Sequence, residues 1–218
     1  MKEHELILGP RIPKKQWYKE RKRFLIPSIL MLVAAVLLII SIFLPYWKLT
    51  LFAPQYPGGL NVVLYVNRVD GDIQELDILN HYIGMKSMNE AAPLERSLSI
   101  FLIVGIVLLV LATIYVHSPI VLFLTIPAIL YPAFFLGDLY FWLRYFGTNL
   151  SPYAPLSGAV KSFVPPILGD STIANFKTTA TWEIGLFLSI AASIIIIAGL
   201  YFHRKAYKPL IDSRFKNE

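Results

Sequence analysis

Cysteine is absent from all 218 residues. That excludes disulfides, c-type haem attachment, thiolate zinc sites and Cys-ligated iron–sulfur clusters together. Charge is scarce as well, at 16% of residues against 56% hydrophobic, and the mean hydropathy is +0.59. A soluble domain of this length needs less apolar material and carries more charge. No nucleotide-binding loop, zinc-protease motif, catalytic triad, internal repeat or low-complexity segment is present.

What the chain does have is long uncharged runs. Phe24–Leu44, Leu98–Val116 and Ile184–Phe202 contain no charged residue, and the run from Ile120 to Trp142 contains only Asp138. Each is near the ~20 residues that cross a hydrocarbon core. Backbone amides in that solvent must be satisfied internally, so the runs are expected to be helices. The expected fold class is an all-α membrane protein with four transmembrane helices and a small extracytoplasmic lobe containing short strands. Pro127 and Pro132 predict kinks in the third helix, with neighbouring helices satisfying the freed carbonyls.

The net charge of +6 is unevenly placed. Residues 1–23 carry eight Lys or Arg and residues 203–218 carry five, while 45–97 and 143–183 together carry seven over more than twice the length. This bias predicts cytoplasmic termini and fits a bilayer better than nucleic acid. The expected order is a basic N-terminus (1–23), a first span (24–44), a first outer segment (45–97) and a second span (98–116). A cytoplasmic hairpin (117–119), a third span (120–142), a second outer segment (143–183), a fourth span (184–202) and a cytoplasmic tail (203–218) follow. The first span is too long for a cleaved signal peptide and ends in Leu44-Pro45-Tyr46-Trp47, without a small-residue cleavage site. The block Lys14–Arg23 reads as topogenic and lipid-contacting. Trp17, Trp47, Trp142 and Trp182 fall near the expected interfaces, where such rings favour the headgroup region. The localisation expected is the cytoplasmic (inner) membrane.

In the first outer segment, Asn61–Val66 reads as a strand, Asp70-Gly71 as a hairpin turn and Asp72–Leu76 as the return strand. Asp77 is placed to cap a short helix from Ile78. The second outer segment, with Pro152, Pro155, Pro165 and Pro166, reads as an extended packed loop with little regular structure.

Chemistry is concentrated in Asn80–Met88. Two of the four methionines lie there, beside the only histidine of the outer segments. On a continuous helix His81, Met85 and Met88 share one face, and thioether plus imidazole suits copper, especially Cu(I). Asp72, Glu75 and Asp77 are close enough in sequence to support such ligands. The simpler account is gap-filling methionine and an interfacial histidine, and Gly84 threatens the helix that the alignment requires. Asp138, an acid inside an apolar run, is the second candidate, with a helix-end ion pair to Arg144 as its simpler account. Glu183 complements a helix N-terminus. His117 and His203 lie at inner helix ends. No histidine is central to a span, which argues against a bis-histidine haem.

Leu79–Met85, with Ala53–Pro57 and Gly58–Leu60 before it and Ser162–Gly169 and Ile173–Phe176 after it, resembles a pattern of small four-helix bacterial membrane accessory proteins. These are encoded with nitrous-oxide reductase and related copper-enzyme genes. The resemblance implies a non-enzymatic accessory protein that helps assemble, metallate or anchor an extracytoplasmic copper enzyme, with copper as the cofactor. Two other readings stand beside it: a structural subunit docking a redox protein, and a small transporter using Asp138.

Overall fold

The structure, a computed structural model, describes Leu8, Trp17, Tyr18 and residues 20–173 and 176–215, with side chains described as far as Leu210. Most of residues 1–23, Ala174-Asn175 of the second motif and residues 216–218 of the tail lie outside the described residues. Four helices are long and apolar enough to cross a membrane: α1 (Arg21–Ser41), α3 (Pro93–Ala112), α4 (Ile120–Thr148) and α5 (Ile184–Phe215, apolar enough as far as Leu210). Between them lie β1 (Trp47–Ala53), β2 (Tyr56–Leu64), β3 (Val69–Gly71), α2 (Ile73–Ile83), β4 (Gly169–Ile173) and β5 (Phe176–Trp182). The all-α expectation is therefore corrected, because the five strands form one antiparallel sheet in the order β3-β2-β1-β5-β4. Helix limits also differ from the apolar runs: α3 starts at Pro93 and α4 ends at Thr148, outside their runs, whereas α1 ends at Ser41 and α3 at Ala112, inside theirs. Apolarity marks what lipid requires, whereas helical backbone continues into polar turns.

The chain divides into two compact units. One comprises residues 1–40, 102–132 and 188–218, and its described residues are helical apart from Glu20 and the turn at 113–119. Met31, Leu38, Val121, Ala128 and Ile196 are buried in it, while Phe101 in the other unit and Phe123 here are 75% and 70% exposed. Large rings turned outward suit lipid contact. Gly199 allows a close approach, since a Cβ there would lie 3.0 Å from the Met31 methyl. Both prolines of α4 lie inside a continuous helix. Pro132 has no N–H for the Ala128 carbonyl, and the Ser193 hydroxyl donates to that carbonyl at 3.1 Å. A neighbouring helix thus supplies a donor, as the sequence predicts.

The second unit comprises residues 41–101 and 133–187 and contains the whole sheet. Strand β1 alternates, with Trp47, Leu49, Leu51 and Ala53 buried. Leu49 pairs with Val62 on β2 and Ala180 on β5, so apolar residues of three strands share one face. Residues 45–97 and 143–183 therefore contribute to one sheet, and the expectation of a second segment with little regular structure is corrected. Its prolines precede β4, while Thr178, Thr179 and Thr181 sit in β5 and suit a strand. The hairpin turn is also moved: β2 and β3 are joined through residues 65–68, and Asp70-Gly71 is paired within β3. Gly71 has φ +107°, and a Cβ there would sit 2.1 Å from the Asn61 carbonyl oxygen. Only glycine fits that close approach.

Tyr46 anchors this unit. It is fully buried, its hydroxyl is 2.8 Å from Ser41 Oγ, and its ring lies 4.8 Å from that of Phe135. Its carbonyl accepts from Glu183 N at 3.0 Å and its N–H donates to the Leu64 carbonyl at 2.7 Å. Trp47 is 2% exposed and donates its indole N–H to the Ile167 carbonyl at 2.7 Å. It is a core residue instead of the interfacial ring expected from its sequence position.

Candidate functional site

Beneath the buried face of the sheet is a cavity of about 320 Å³. Trp47, Leu49 and Leu51 of β1 and Val62 and Leu64 of β2 form one wall. Leu76 and Leu79 of α2 form another, and Leu139, Trp142, Leu143 and Phe146 of α4 a third. Phe163 and Pro165 approach from the second segment. Apart from Gln55 and Asn80, the lining is almost wholly apolar or aromatic. This volume lies at the lower end of the ~300–1,000 Å³ common for small-molecule sites.

Helix α2 begins five residues before the position expected for it. Asp72 occupies the N-cap position, and its carboxylate accepts from Asn61 N at 2.8 Å. Asp77 is inside the helix and does not cap it. Its carboxylate instead accepts the Ser87 hydroxyl at 2.5 Å and the Met88 N–H at 2.9 Å, fixing the loop that follows. The helix ends at Ile83, with Gly84 at φ +80° and the Met85 N–H reaching back to the Asn80 carbonyl at 2.8 Å. This glycine-terminated cap is the expected way to close a helix.

The one-face alignment of His81, Met85 and Met88 is therefore interrupted at Gly84. Met85 and Met88 line the cavity, while His81 is exposed on the last turn of α2, its ring centre 6.3 Å from that of Tyr82. Asp138 is half-buried in α4 and forms no ion pair with Arg144, which is exposed. The ion-pair expectation is corrected. The charged group that bears on Asp138 is Glu95 of α3, another carboxylate.

A smaller pocket of about 180 Å³ is lined by Lys86, Glu90, Pro93, Phe141, Trp142, Tyr145 and Phe146. Trp142 and Phe146 line the larger cavity too. Among the described residues, the ion pairs are Arg23–Glu20, Arg68–Asp70 and Lys177–Asp170, so neither Lys86 nor Glu90 is engaged in one. Lys86 Nζ lies 5.4 Å from the centre of the Tyr145 ring, within cation–π range.

In the helical unit, His117 and His203 come together, with ring centres 6.0 Å apart. The His117 ring stacks on Tyr207 at 4.1 Å and 8°. Burial lowers the His117 pKa from its ordinary value, which favours the neutral imidazole at pH 7. His203 Nε2 is 3.3 Å from the Val116 carbonyl oxygen.

Neither the cavity nor β1 is among the features expected from the sequence. The alternation Trp47-Lys48-Leu49-Thr50-Leu51 was the available signal for the strand. No family model matches the chain, and no curated protein and no solved structure shows significant similarity to it.

Proposed function

We propose that this chain is a multi-pass, non-enzymatic protein of the cytoplasmic membrane that holds the apolar chain of a membrane lipid in an extracytoplasmic lobe. The observation that carries this reading is the apolar cavity of about 320 Å³ between the sheet face, α2 and residues 139–146 of α4. The Lys/Arg asymmetry supports the outward orientation of the lobe. A lipid tail is already in hydrocarbon, so moving it into an apolar cavity yields little transfer free energy. Shape and polar groups beside the cavity must then provide selectivity.

Ala91 lines the cavity from the loop before α3, where a larger side chain would occupy ligand space. The purified protein should bind a fluorescent long-chain acyl probe, and Ala91→Phe should weaken that binding by about tenfold or more. A folded wild type that binds no acyl probe, or an Ala91→Phe variant that binds it unchanged, would overturn the reading.

A second reading keeps copper, because the thioethers of Met85 and Met88 line the same cavity. In that reading His81 joins them when its exposed ring swings inward, and the lobe hands Cu(I) to an extracytoplasmic copper or redox protein. Thioethers bind without losing a proton, whereas imidazole must be neutral. Retention of Cu(I) should fall when all three residues are replaced by alanine, while Met31→Leu has no effect. Equal retention by the triple variant would reject these ligands.

A further inference from the structure

The cavity alone does not distinguish one lipid from another, because tails differ little in their attraction to an apolar wall. The adjoining pocket contains the groups that can. It has one ammonium, Lys86, and one carboxylate, Glu90, with the rings of Phe141, Trp142 and Tyr145 among its walls. Pro93, at the start of α3, lines the pocket without offering an N–H. Trp142 and Phe146, one helical turn apart on α4, border both spaces. A ligand spanning them would place an apolar chain on one side of these rings and a polar group on the other.

We propose that Lys86 and Glu90 form the headgroup subsite of this lipid site and select a zwitterionic phospholipid, with phosphate at Lys86 and ammonium at Glu90. This rests on the lipid-chain reading of the larger cavity. Phosphate suits Lys86 because an ammonium gives it charge-assisted donors. The lipid ammonium suits Glu90 for the reciprocal reason, and the neighbouring aromatic faces add cation–π attraction. A headgroup with negative charge alone would meet Glu90 without a compensating cation. One group of each sign therefore favours a headgroup of net zero charge. Both side chains are exposed, so replacing either leaves the buried core intact.

The test uses the full chain, delipidated in detergent and then exposed to vesicles of phosphatidylethanolamine or phosphatidylglycerol with identical acyl chains. Retained lipid is counted by native mass spectrometry. Wild type should retain the ethanolamine lipid about tenfold more than the glycerol lipid, a difference of the size expected from a charge-assisted contact. Lys86→Ala should remove most of the preference, and Glu90→Lys should reverse it towards the anionic lipid. Ala91→Phe should reduce both lipids alike. Equal uptake of both lipids by wild type, unchanged in the Lys86 and Glu90 variants but reduced by Ala91→Phe, would reject the headgroup subsite and keep the cavity. Failure of the folded wild type to retain either lipid would reject both.

Discussion

The Ser193 hydroxyl donates to the Ala128 carbonyl, the acceptor that Pro132 leaves without its usual amide partner. Ser193 is also 3.1 Å from the Ser189 carbonyl oxygen, so its proton has two acceptors on offer. Ser193→Ala should destabilise the protein by about 1–2 kcal/mol, because a buried carbonyl loses its donor. Pro132→Ala restores the helical N–H and should make the serine nearly dispensable. Thermal unfolding in detergent of both single variants and the double variant checks this, with an expected coupling of about 1 kcal/mol. Additive effects would mean that Ser193 does not serve the proline gap.

Two neighbouring backbone positions should respond in opposite ways. Gly84 has φ +80° and a Cβ there would lie 2.7 Å from the Ser151 carbonyl oxygen. Gly84→Ala should cost about 1–2 kcal/mol or more. Ala92, with φ +48°, is a non-glycine residue in the left-handed region, just before Pro93. Ala92→Gly should be neutral or stabilising by up to about 1 kcal/mol, since relieved strain offsets added chain entropy. Unfolding midpoints of the two variants give the signs directly.

Acid should loosen the β4–β5 hairpin first. Asp170 accepts from the Thr179 hydroxyl at 2.7 Å and lies 3.4 Å from Lys177 Nζ, which together hold its carboxyl below the usual range. A lowered folded pKa means that this contribution is present above the unfolded value, about 4. It is lost as pH falls through the lowered folded value. The groups are exposed, so the effect is local and small. Amide protection in β4, taken relative to the intrinsic exchange rate at each pH, should fall across that acid range, and Asp170→Asn should flatten the dependence. Identical acid profiles in both proteins would remove Asp170 as the cause.

The orientation is open to a direct check. Reporter fusions after His117 and at the C-terminus should read cytoplasmic, and fusions near Gly71 and Gly158 should read external. A cytoplasmic signal at Gly71 would invert the proposed lobe, leaving the cavity on the wrong side for an extracytoplasmic role.

The four long helices were legible because each is a local property of one uninterrupted apolar run. Pro132 even announced the need for a donor from another helix, which Ser193 supplies. The sheet was less legible. Strand β1 begins three residues after the first apolar run, and its Trp47 could be assigned to an interface by type alone. Asp77 looked like a cap because acids favour that position, yet its partners are Ser87 and Met88 further along the chain. Gly84 carried a sound local warning against aligning His81 with the methionines. The cavity left no local signature, since its walls bring Trp47 together with Leu139 and Phe163.

The sheet order also has a consequence for biogenesis. Strand β1 is central, paired with β2 on one side and with β5 on the other. A ribosome makes β1 and β2 almost together, but α3, α4 and most of the second segment emerge before β5. During that interval one flank of β1 carries unpaired amides and carbonyls, a template for pairing with another chain. The sheet can close only late in synthesis, after a long loop has been brought back. Mutations that slow the arrival of β5 should therefore cause aggregation of newly made chains while leaving the stability of the finished protein almost unchanged.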